Sequence, residues 1–341
     1  MSSVTIRDIA RAANVSVATV SRTLNDKSCV TDEMRERVLS TAEKLGYVPN
    51  SAAKTLKTNS THTIGVMVSD ISNPDYISII RTMEDIVQAR QYSLMLCSTG
   101  DRQDREQDCL QMLLSRNVDG LVLNTTELNN DLVIRMSQRI PTLLINRSIR
   151  DDRFRGDLIT TNSYQGIYQL TRQLVSMGHR RIYAIQGPDH LSNSQERFRA
   201  FQDAMAQEAG ITVDTGEYPY LFSGAYSRQT GAEAVRRMRS FAEPPTAVLS
   251  FSNIAMLGVL HELIAAGIRI PEELTLASYD SLPDMELLSI RPLTAQFDNA
   301  AIGGRCARSL LERIEEPGLA NRSFLFEPTL IFGNALGFPK G

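Results

Sequence analysis

The stretch TIRDIARAANVSVATVSRTLN, residues 5–25, has the spacing of two short helices joined by a tight turn. Thr5 stands three residues ahead of Asp8, a variant of the capping box that begins helices. Apolar residues then recur at helical intervals and predict one buried stripe: Ile6, Ile9, Ala10 and Ala13. Asn14 falls where the turn needs a left-handed backbone, which asparagine tolerates better than most residues do. Ser16 is the expected N-cap of the second helix.

A third helix is predicted from Asp32 to Leu45, with Thr31 as its N-cap and Gly46 at its end. Its apolar side is expected to consist of Met34, Val38, Thr41, Ala42 and Leu45. Two short helices across a three-residue turn, braced by a third helix, predict a helix-turn-helix domain.

In such a domain the second helix enters the major groove of DNA, with its N-terminal side chains against the base edges. The outward-facing residues of this helix are predicted to be Val17, Ala18, Ser21 and Arg22. Arg22 can bond guanine O6 and N7 as a fork, a contact worth about 1–3 kcal/mol of discrimination. Val17 and Ala18 can touch only apolar edges such as a thymine methyl. The pattern alone also fits a three-helix bundle used for protein contact, with Arg22 as a solvated charge.

The length and the charge distribution indicate at least one further domain beyond this helix-turn-helix domain. A chain of 341 residues is too long for one hydrophobic core and predicts two or three domains. Residues 1–60 carry a net charge of +3 and the remainder −6, which suits a nucleic-acid module joined to another domain. We predict a cytoplasmic protein with reduced cysteines, because the sequence has no apparent signal peptide and no apolar run long enough to span a membrane.

From Thr63 onward, apolar runs of strand length alternate with amphipathic stretches. Strands are predicted at 63–69, 92–98, 119–124, 142–146, 181–187, 246–252 and 274–280, and helices near 76–90, 104–116, 163–177, 195–209, 227–240 and 254–266. Continuous apolar strands separated by helices indicate α/β lobes built on doubly wound parallel sheets, and the remaining length fills two of them. Ligands of such lobes bind beyond the carboxyl ends of the strands.

The residues that follow the predicted strands suit hydroxyl binding rather than catalysis. No Gly-rich phosphate loop, Ser/His/Asp arrangement or metal-ligand spacing occurs in the sequence. We therefore predict no catalytic residues, no metal and no cofactor. An enzyme on the same lobes and a solute-binding receptor without a DNA role remain as alternatives.

The N-terminal motifs resemble those of the lactose-repressor/galactose-repressor (LacI/GalR) family of bacterial transcription regulators. The matching motifs are T-I-x-D-[IV]-A at 5–10, V-S-x-x-T-V-S-R-x-L-N at 15–25, R-x-x-V at 35–38, L-G-Y-x-P-N at 45–50 and A-[RK]-x-L at 53–56. They cover roughly 57 residues and are far more specific than a generic helix-turn-helix pattern. Asn14 is a departure, because family members usually have glycine there.

A short polar helix is predicted after Pro49, and the resemblance identifies it as a hinge helix that orders on operator DNA. The family wedges a leucine into the minor groove, and the matching position is Leu56, with Lys54 in place of the usual arginine. The alternative is that Leu56 packs against the helix-turn-helix domain. The other predicted DNA-contacting residues are Thr5, Ser16, Asn25, Asn50 and Ala53.

The body resembles the same family in TIGVMVSDISNP, VDGLVL, GHRRI, ERFRAF, SNIAMLGVL, IPEELTLASYD and RPLTA. This resemblance implies the two-lobed fold of periplasmic sugar-binding proteins. The effector-binding residues it implies are Asp75, Tyr76, Asn146, Arg197, Tyr226, Asn253 and Asp280, and Arg147 is a candidate for a second positive group. An aromatic face, a forked arginine and Asn/Asp side chains suit a sugar. Simpler roles are helix caps for Asp280 and Asn253, a surface salt bridge for Arg197 and core packing for Tyr226.

Four positions depart from the family pattern and bear on the ligand. Asp75 stands where an aromatic residue is common, and Ile254 stands where the family usually has aspartate. Leu191 and Asn193 are not the polar pair of the purine-sensing member. These departures favour a sugar, sugar acid or sugar phosphate, and a nucleoside-sensing regulator is the alternative.

The complete prediction is a repressor with three parts: a DNA-binding domain at 1–49, a hinge and linker at 50–62, and an effector-binding and dimerisation domain at 63–341. The chain is expected to cross between the lobes near 162, 292 and 322. Because operators of this class are near-palindromes, a homodimer is expected. The operator, the effector and whether the effector induces or corepresses are not readable from the sequence.

Overall fold

The computed structural model describes residues 4–24, 30–47, 60–214 and 216–339. The chain divides into two units, Met1–Thr61 and His62–Gly341. Each unit is built around its own buried apolar residues.

The first unit contains three described helices: α1 at Ile6–Ala12, α2 at Val17–Leu24 and α3 at Asp32–Lys44. Their shared core consists of Ile9, Ala10, Ala13, Val20, Val38 and Ala42, all buried. The predicted stripe of α1 is confirmed, because three of its four residues are in this core and Ile6 packs against it.

Local hydrogen bonds set the helix starts in this unit. Asn14 has φ 53°, which confirms the left-handed turn residue. The Ser16 hydroxyl accepts a hydrogen bond from the Thr19 amide at 3.0 Å, so Ser16 caps α2 as predicted. The amide and the hydroxyl of Thr5 both donate to the Asp8 carboxylate, at 2.9 and 2.7 Å.

Two details of α3 differ from the prediction. Thr31 occupies the N-cap position, but its side chain makes no capping hydrogen bond. Leu45 is not on the apolar side, because the helix ends at Lys44 and the Leu45 side chain is 38% exposed. Gly46 follows with φ 63°, as expected of a residue that ends a helix.

The second unit alternates strands and helices. Its strands are β1 at Thr63–Val68, β2 at Ser93–Ser98, β3 at Gly120–Leu123, β4 at Thr142–Ile145, β5 at Asp157–Thr161, β6 at Ile182–Gln186, β7 at Leu221–Ser223, β8 at Ala247–Ser250, β9 at Thr275–Tyr279, β10 at Leu293–Gln296, β11 at Ser323–Phe326 and β12 at Thr329–Ile331. Its helices are α4 at Pro74–Gln88, α5 at Gln103–Ser115, α6 at Asn130–Ser137, α7 at Ser163–Ser176, α8 at Ser192–Ala209, α9 at Arg228–Met238, α10 at Asn253–Ala265 and α11 at Asn299–Glu315.

The strands form two six-stranded sheets, one in each lobe. The first has the order β11-β5-β4-β3-β1-β2 and the second β12-β10-β9-β8-β6-β7. All neighbours are parallel except β12, which pairs antiparallel with β10. Successive residues of one strand, such as Val66 and Met67, belong to different buried clusters, so both faces of the sheets are covered. The predicted α/β lobes are therefore present.

The chain passes between the sheets after β5, after β10 and after β11. The second and third passages lie at 297–298 and 327–328, about five residues beyond the positions near 292 and 322 given by the sequence. The second passage comes later because the four residues after Pro292 still pair with β9 and β12.

Two glycines set the position of α10, whose first residue is Asn253. A Cβ atom at Gly231 of α9 would lie 1.9 Å from the carbonyl oxygen of Ala255. One at Gly258 of α10 would lie 1.9 Å from the carbonyl oxygen of Arg228. Only glycine allows the two helices to approach this closely.

In the described parts of the chain, no helix combines the length and apolar character that a bilayer crossing requires.

Candidate functional site

Helix α2 presents the predicted DNA-contacting residues on its surface. Val17 is 48% exposed, Ala18 and Arg22 are exposed, and Ser21 is partly exposed. Val20 and Thr23 on the opposite side are buried. Because this exposed side begins at the N-terminus of α2, it has the geometry needed to enter a DNA groove.

Thr5 and Ser16 are two of the three hydroxyl candidates of the first unit, and both have structural partners. Thr5 and Ser16 are exposed, and each bonds to a residue in the first turn of its helix. The remaining DNA-contacting candidates lie outside the described residues: Asn25, Asn50, Ala53, Lys54 and Leu56.

In the second unit, the start of α4 brings Asp75 and Tyr76 to the cleft between the lobes. Asn73 caps this helix by accepting a hydrogen bond from the Asp75 amide, and Pro74 occupies its first position. The Tyr76 side chain is buried, and burial raises the pKa of its hydroxyl.

Asp75 bonds to one amide side chain in each lobe. Its carboxylate accepts hydrogen bonds from Nδ2 of Asn253 and from Nδ2 of Asn299, both at 2.7 Å. Asn253 is not the N-cap of α10; the Ser252 hydroxyl takes that role. The buried Asn253 side chain instead reaches the first lobe.

Asp280 follows β9 with a left-handed backbone, φ 62°. Burial raises the pKa of its carboxyl group well above the ordinary value, and the negative charge of Asp75 raises it further, whereas Arg197 lowers it. Burial likewise raises the pKa of Asp75, against its two amide hydrogen bonds. The cleft therefore holds two interacting acids near one guanidinium group.

Arg197 is 6% exposed, which rules out the surface salt bridge considered from the sequence. Its Nη1 donates to the Phe251 carbonyl oxygen at 2.6 Å, and its Nε donates to the Ser163 hydroxyl at 3.4 Å. The guanidinium carbon lies 3.6 Å from the ring centroid of Tyr279 and 5.6 Å from that of Tyr226. Two aromatic rings thus fix its position.

Asn146 and Arg147 follow β4, and Asn146 has φ 59°. Arg147 is 2% exposed. Its Nη1 donates to the Asp101 carboxylate at 2.7 Å and to the Thr125 carbonyl oxygen at 2.6 Å. Arg147 is therefore paired with Asp101, and its role as a second positive group for the ligand stays a prediction.

Several buried polar atoms around these residues have no hydrogen-bond partner among the described residues. They are Oδ1 of Asn124, Oγ1 of Thr125, Oδ1 of Asn146, Nε of Arg147, Oε1 of Gln186 and the hydroxyl of Tyr226. All lie at or just beyond the carboxyl ends of β3, β4, β6 and β7. Since unpaired buried polar atoms cost stability, this edge is suited to a ligand that carries several hydroxyl groups.

The mouth of the cleft carries a second contact between the lobes. Glu127, with φ 64°, accepts hydrogen bonds from the amide and the hydroxyl of Ser192 at the start of α8. A cavity of about 470 Å³ lies beside it, between Ser148 and Thr160 of one lobe and Asn193 of the other. None of the predicted effector-binding residues lines this cavity.

The sequence did not single out Tyr279, Asn299 or Asp101, which complete the cleft. Tyr279 immediately precedes Asp280, so its place beside a predicted site residue could have identified it as a site candidate. Asn299 follows a strand that the sequence did not predict. Asp101 acts by pairing with Arg147, which lies 46 positions away along the chain.

The chain matches two models of protein families. Residues 61–325 match the model described as periplasmic binding proteins and sugar binding domain of the LacI family. Residues 5–50 match the model described as bacterial regulatory proteins, lacI family.

Individual proteins are similar over nearly the whole chain. The HTH-type transcriptional repressor PurR of Vibrio vulnificus is 30% identical, over 96% of this chain and 97% of the relative. The ribose operon repressor of Haemophilus influenzae is 30% identical, over 97% of this chain and 98% of the relative. The solved Lac repressor dimer bound to operator and the anti-inducer ONPF is 21% identical, covers 98% of this chain and 99% of that one, and has a TM-score of 0.81. That last likeness shows a common fold.

Proposed function

The chain belongs to the LacI family of bacterial regulatory proteins, and from that premise we propose that it represses transcription under the control of a neutral sugar. In this proposal α2 reads a near-palindromic operator, and the sugar binds between the two lobes. The sugar changes operator affinity because it binds one of two arrangements of the lobes more tightly than the other. The coupling free energy between the two sites is typically about 1–3 kcal/mol.

The observation that carries the ligand proposal is the set of unpaired buried polar atoms at the strand ends. One of them, the Tyr226 hydroxyl, belongs to a ring beside Arg197, and Arg197, Asp75 and Asp280 supply charged donors and acceptors. A ring with several hydroxyl groups can satisfy both kinds of partner at once, because each hydroxyl donates one hydrogen bond and accepts others.

The charge of the cleft favours a neutral sugar over a sugar acid or phosphate. Arg147 is paired with Asp101, and the remaining positive group, Arg197, faces both Asp75 and Asp280. An anionic ligand would bring a further negative charge beside two acids whose ionisation burial already disfavours. Identity does not decide between a purine and a sugar, since PurR and the ribose operon repressor are each 30% identical.

A panel of ligands tests this proposal by thermal unfolding of the purified protein. We expect D-ribose or another neutral monosaccharide to raise the unfolding temperature, because a ligand that binds only the native state stabilises it. Adenosine and D-ribose 5-phosphate should not. The stabilisation should be lost in Arg197→Lys and kept in Arg172→Lys, a control in which an exposed arginine of α7 is changed. Stabilisation by the nucleoside or the phosphate alone would contradict the proposal.

Replacing Arg22 with alanine is expected to weaken operator binding by about 1–3 kcal/mol, because one forked contact to guanine is lost. The measurement is fluorescence anisotropy on a duplex recovered by selection from a random pool and on a scrambled duplex. The matched control is Arg11→Ala, which removes an exposed arginine from α1. Equal losses on the two duplexes would mean that Arg22 contributes charge but not sequence recognition.

The proposed repressor is a homodimer that works in the cytoplasm and has no catalytic activity. Exposed apolar side chains on both lobes support pairing with a second copy: Ile77 is 51% exposed and Leu96 42% in the first lobe, and Ile264 is 61% and Leu287 80% in the second. The relatives are named as repressors, which supports a regulatory role.

A further inference from the structure

Tyr279 lies between the cleft and the segments that join the lobes. It is the last residue of β9, its side chain is 0% exposed, and the Arg197 guanidinium stacks on its ring. Its hydroxyl is 2.8 Å from Thr161 Oγ1 and 3.1 Å from Ser163 Oγ. One side chain thus contacts both a cleft residue and the chain at its first passage between the sheets.

The contacts of Tyr279 extend to the second passage. Thr161 ends β5 and Ser163 begins α7, so the tyrosine hydroxyl bridges the first passage. The ring of Phe297, the residue after β10, has its centroid 5.3 Å from that of Tyr279. A Cβ atom at Gly166 would lie 2.9 Å from the Tyr279 ring, so α7 packs directly against it. The ring is therefore confined on several sides.

Ser163 adds a direct connection between the two groups. Its hydroxyl is the partner of Arg197 Nε, at 3.4 Å, and of the Tyr279 hydroxyl, at 3.1 Å. A displacement of the guanidinium group therefore changes both the stacking on Tyr279 and the hydrogen bonds at the start of α7.

We infer that Tyr279 is a positioning residue of the cleft, which holds the Arg197 guanidinium by stacking and links it through its hydroxyl to the first passage between the lobes. The inference rests on the proposed function in taking Arg197 as a ligand contact. The ring and the hydroxyl have separable tasks: the ring sets the position of the guanidinium group, and the hydroxyl transmits its displacement to the lobes.

Two variants separate these tasks without any ligand. Tyr279→Phe keeps the ring and removes the hydroxyl, and Tyr279→Leu removes both. The matched control is Tyr183→Phe, since Tyr183 is also 0% exposed and its hydroxyl has no hydrogen-bond partner among the described residues. The first readout is the Arg197 Nε–H signal in a ¹⁵N correlation spectrum, assigned by its loss in Arg197→Lys. We expect the signal to be shifted upfield by the ring in wild type and in Tyr279→Phe, and to lose this shift in Tyr279→Leu.

The second readout is hydrogen exchange in peptides that cover 157–163 and 296–299. We expect exchange in 157–163 to be roughly tenfold faster in Tyr279→Phe, because two hydrogen bonds are lost. Exchange in 296–299, where Phe297 contacts the retained ring, should stay as in wild type, and neither segment should change in Tyr183→Phe. The inference is overturned if Tyr279→Leu leaves the Arg197 signal in place, or if Tyr279→Phe exchanges no faster than the control. Tyr279→Leu removes a buried ring and could fail to fold. Tyr279→Phe keeps the ring packing, so its hydrogen exchange compared with Tyr183→Phe still tests the inference.

A third readout uses D-ribose as the probe and the selected duplex as DNA. In Tyr279→Phe we expect the D-ribose Kd to stay within about threefold of wild type, since the stacking remains. The ratio of duplex affinities with and without D-ribose should fall toward one. If wild type does not bind D-ribose, the effector is not D-ribose, and the two ligand-free readouts decide the role of Tyr279 separately.

Discussion

Replacing Asp157 with asparagine is expected to lower the free energy of unfolding by about 3–5 kcal/mol, the usual effect of breaking a buried ion pair from one side. Asp157 begins β5, and its side chain is 1% exposed. It accepts hydrogen bonds from Arg313, which is 4% exposed, and from Arg322 at 2.7 Å. Asparagine has nearly the same shape but no charge, so Arg313 would stay buried without its counter-ion. Urea unfolding of the two proteins measures the difference.

The pH dependence gives this prediction a second check. Burial alone would raise the pKa of Asp157, but hydrogen bonds from Arg322 and Arg313 outweigh it and hold the pKa below its ordinary value. A carboxyl group whose pKa is lowered by folding stabilises the native state above its unfolded pKa, about 3.9, and this stability is lost as pH falls through the lower folded value. The gap between wild type and Asp157→Asn should therefore be full at pH 6 and narrow below about pH 4.

Asp151→Asn is the matched control, because Asp151 pairs with Arg153, whose side chain is 61% exposed. Exposed ion pairs contribute little to stability, so its unfolding midpoint should stay close to that of wild type. If Asp157→Asn changes stability no more than this control does, the buried ion pairs do not hold β5 to the segment that returns from the second lobe.

The helix-turn-helix could be predicted in detail because its determinants are local. Asn14 and Ser16 fix the turn and the start of α2 through contacts within five residues along the chain. The amphipathic period of α1 likewise identified its buried side. Such contacts depend on residue types at short spacing, which the sequence displays directly.

Short elements with mixed polarity were missed for the opposite reason. Strand β5, DLITT, has both polar and apolar residues, β7 has three residues, and β10 has four and follows a proline. Their sheet pairing comes from strands far away in the chain, as β11 pairs with β5. Because the strength of a strand depends on its neighbours, its own composition is a weak signal.

The candidate site shows the same division. Residues at the carboxyl ends of predicted strands, such as Asn146 and Asp280, could be selected from the sequence, and the structure brings most of the candidates to one cleft. The partners of these residues could not be predicted from the sequence. Asp101 pairs with Arg147, and Asn253 bonds to Asp75, which lies 178 positions away along the chain. These pairings decide the charge of the cleft, so the preference for a neutral ligand required the structure.

Replacing Asp280 with asparagine is expected to stabilise the ligand-free protein while removing its response to a sugar. Asp280 faces Asp75 and Tyr76 from α4 and Arg197 from α8, and burial together with the charge of Asp75 raises its pKa well above the ordinary value. A carboxyl group whose pKa is raised by folding contributes stability at low pH that is lost as pH rises through the folded value. Asparagine does not ionise, so the variant should be more stable than wild type by about 1–3 kcal/mol at pH 8, and this difference should shrink toward pH 4.

The ligand response should change in the opposite direction. A sugar hydroxyl bonded to a carboxylate gains about 1.5–3 kcal/mol, so its loss should weaken binding roughly 10- to 150-fold. Thermal unfolding with and without D-ribose at pH 5 and pH 8 measures both effects, and Asp284→Asn, an exposed aspartate four positions later, is the control. An Asp280→Asn protein that is less stable than wild type at pH 8 and still responds to the sugar would show that Asp280 has a structural role. A more stable protein without a sugar response would show that the two acids are kept together for binding at a cost to folding stability.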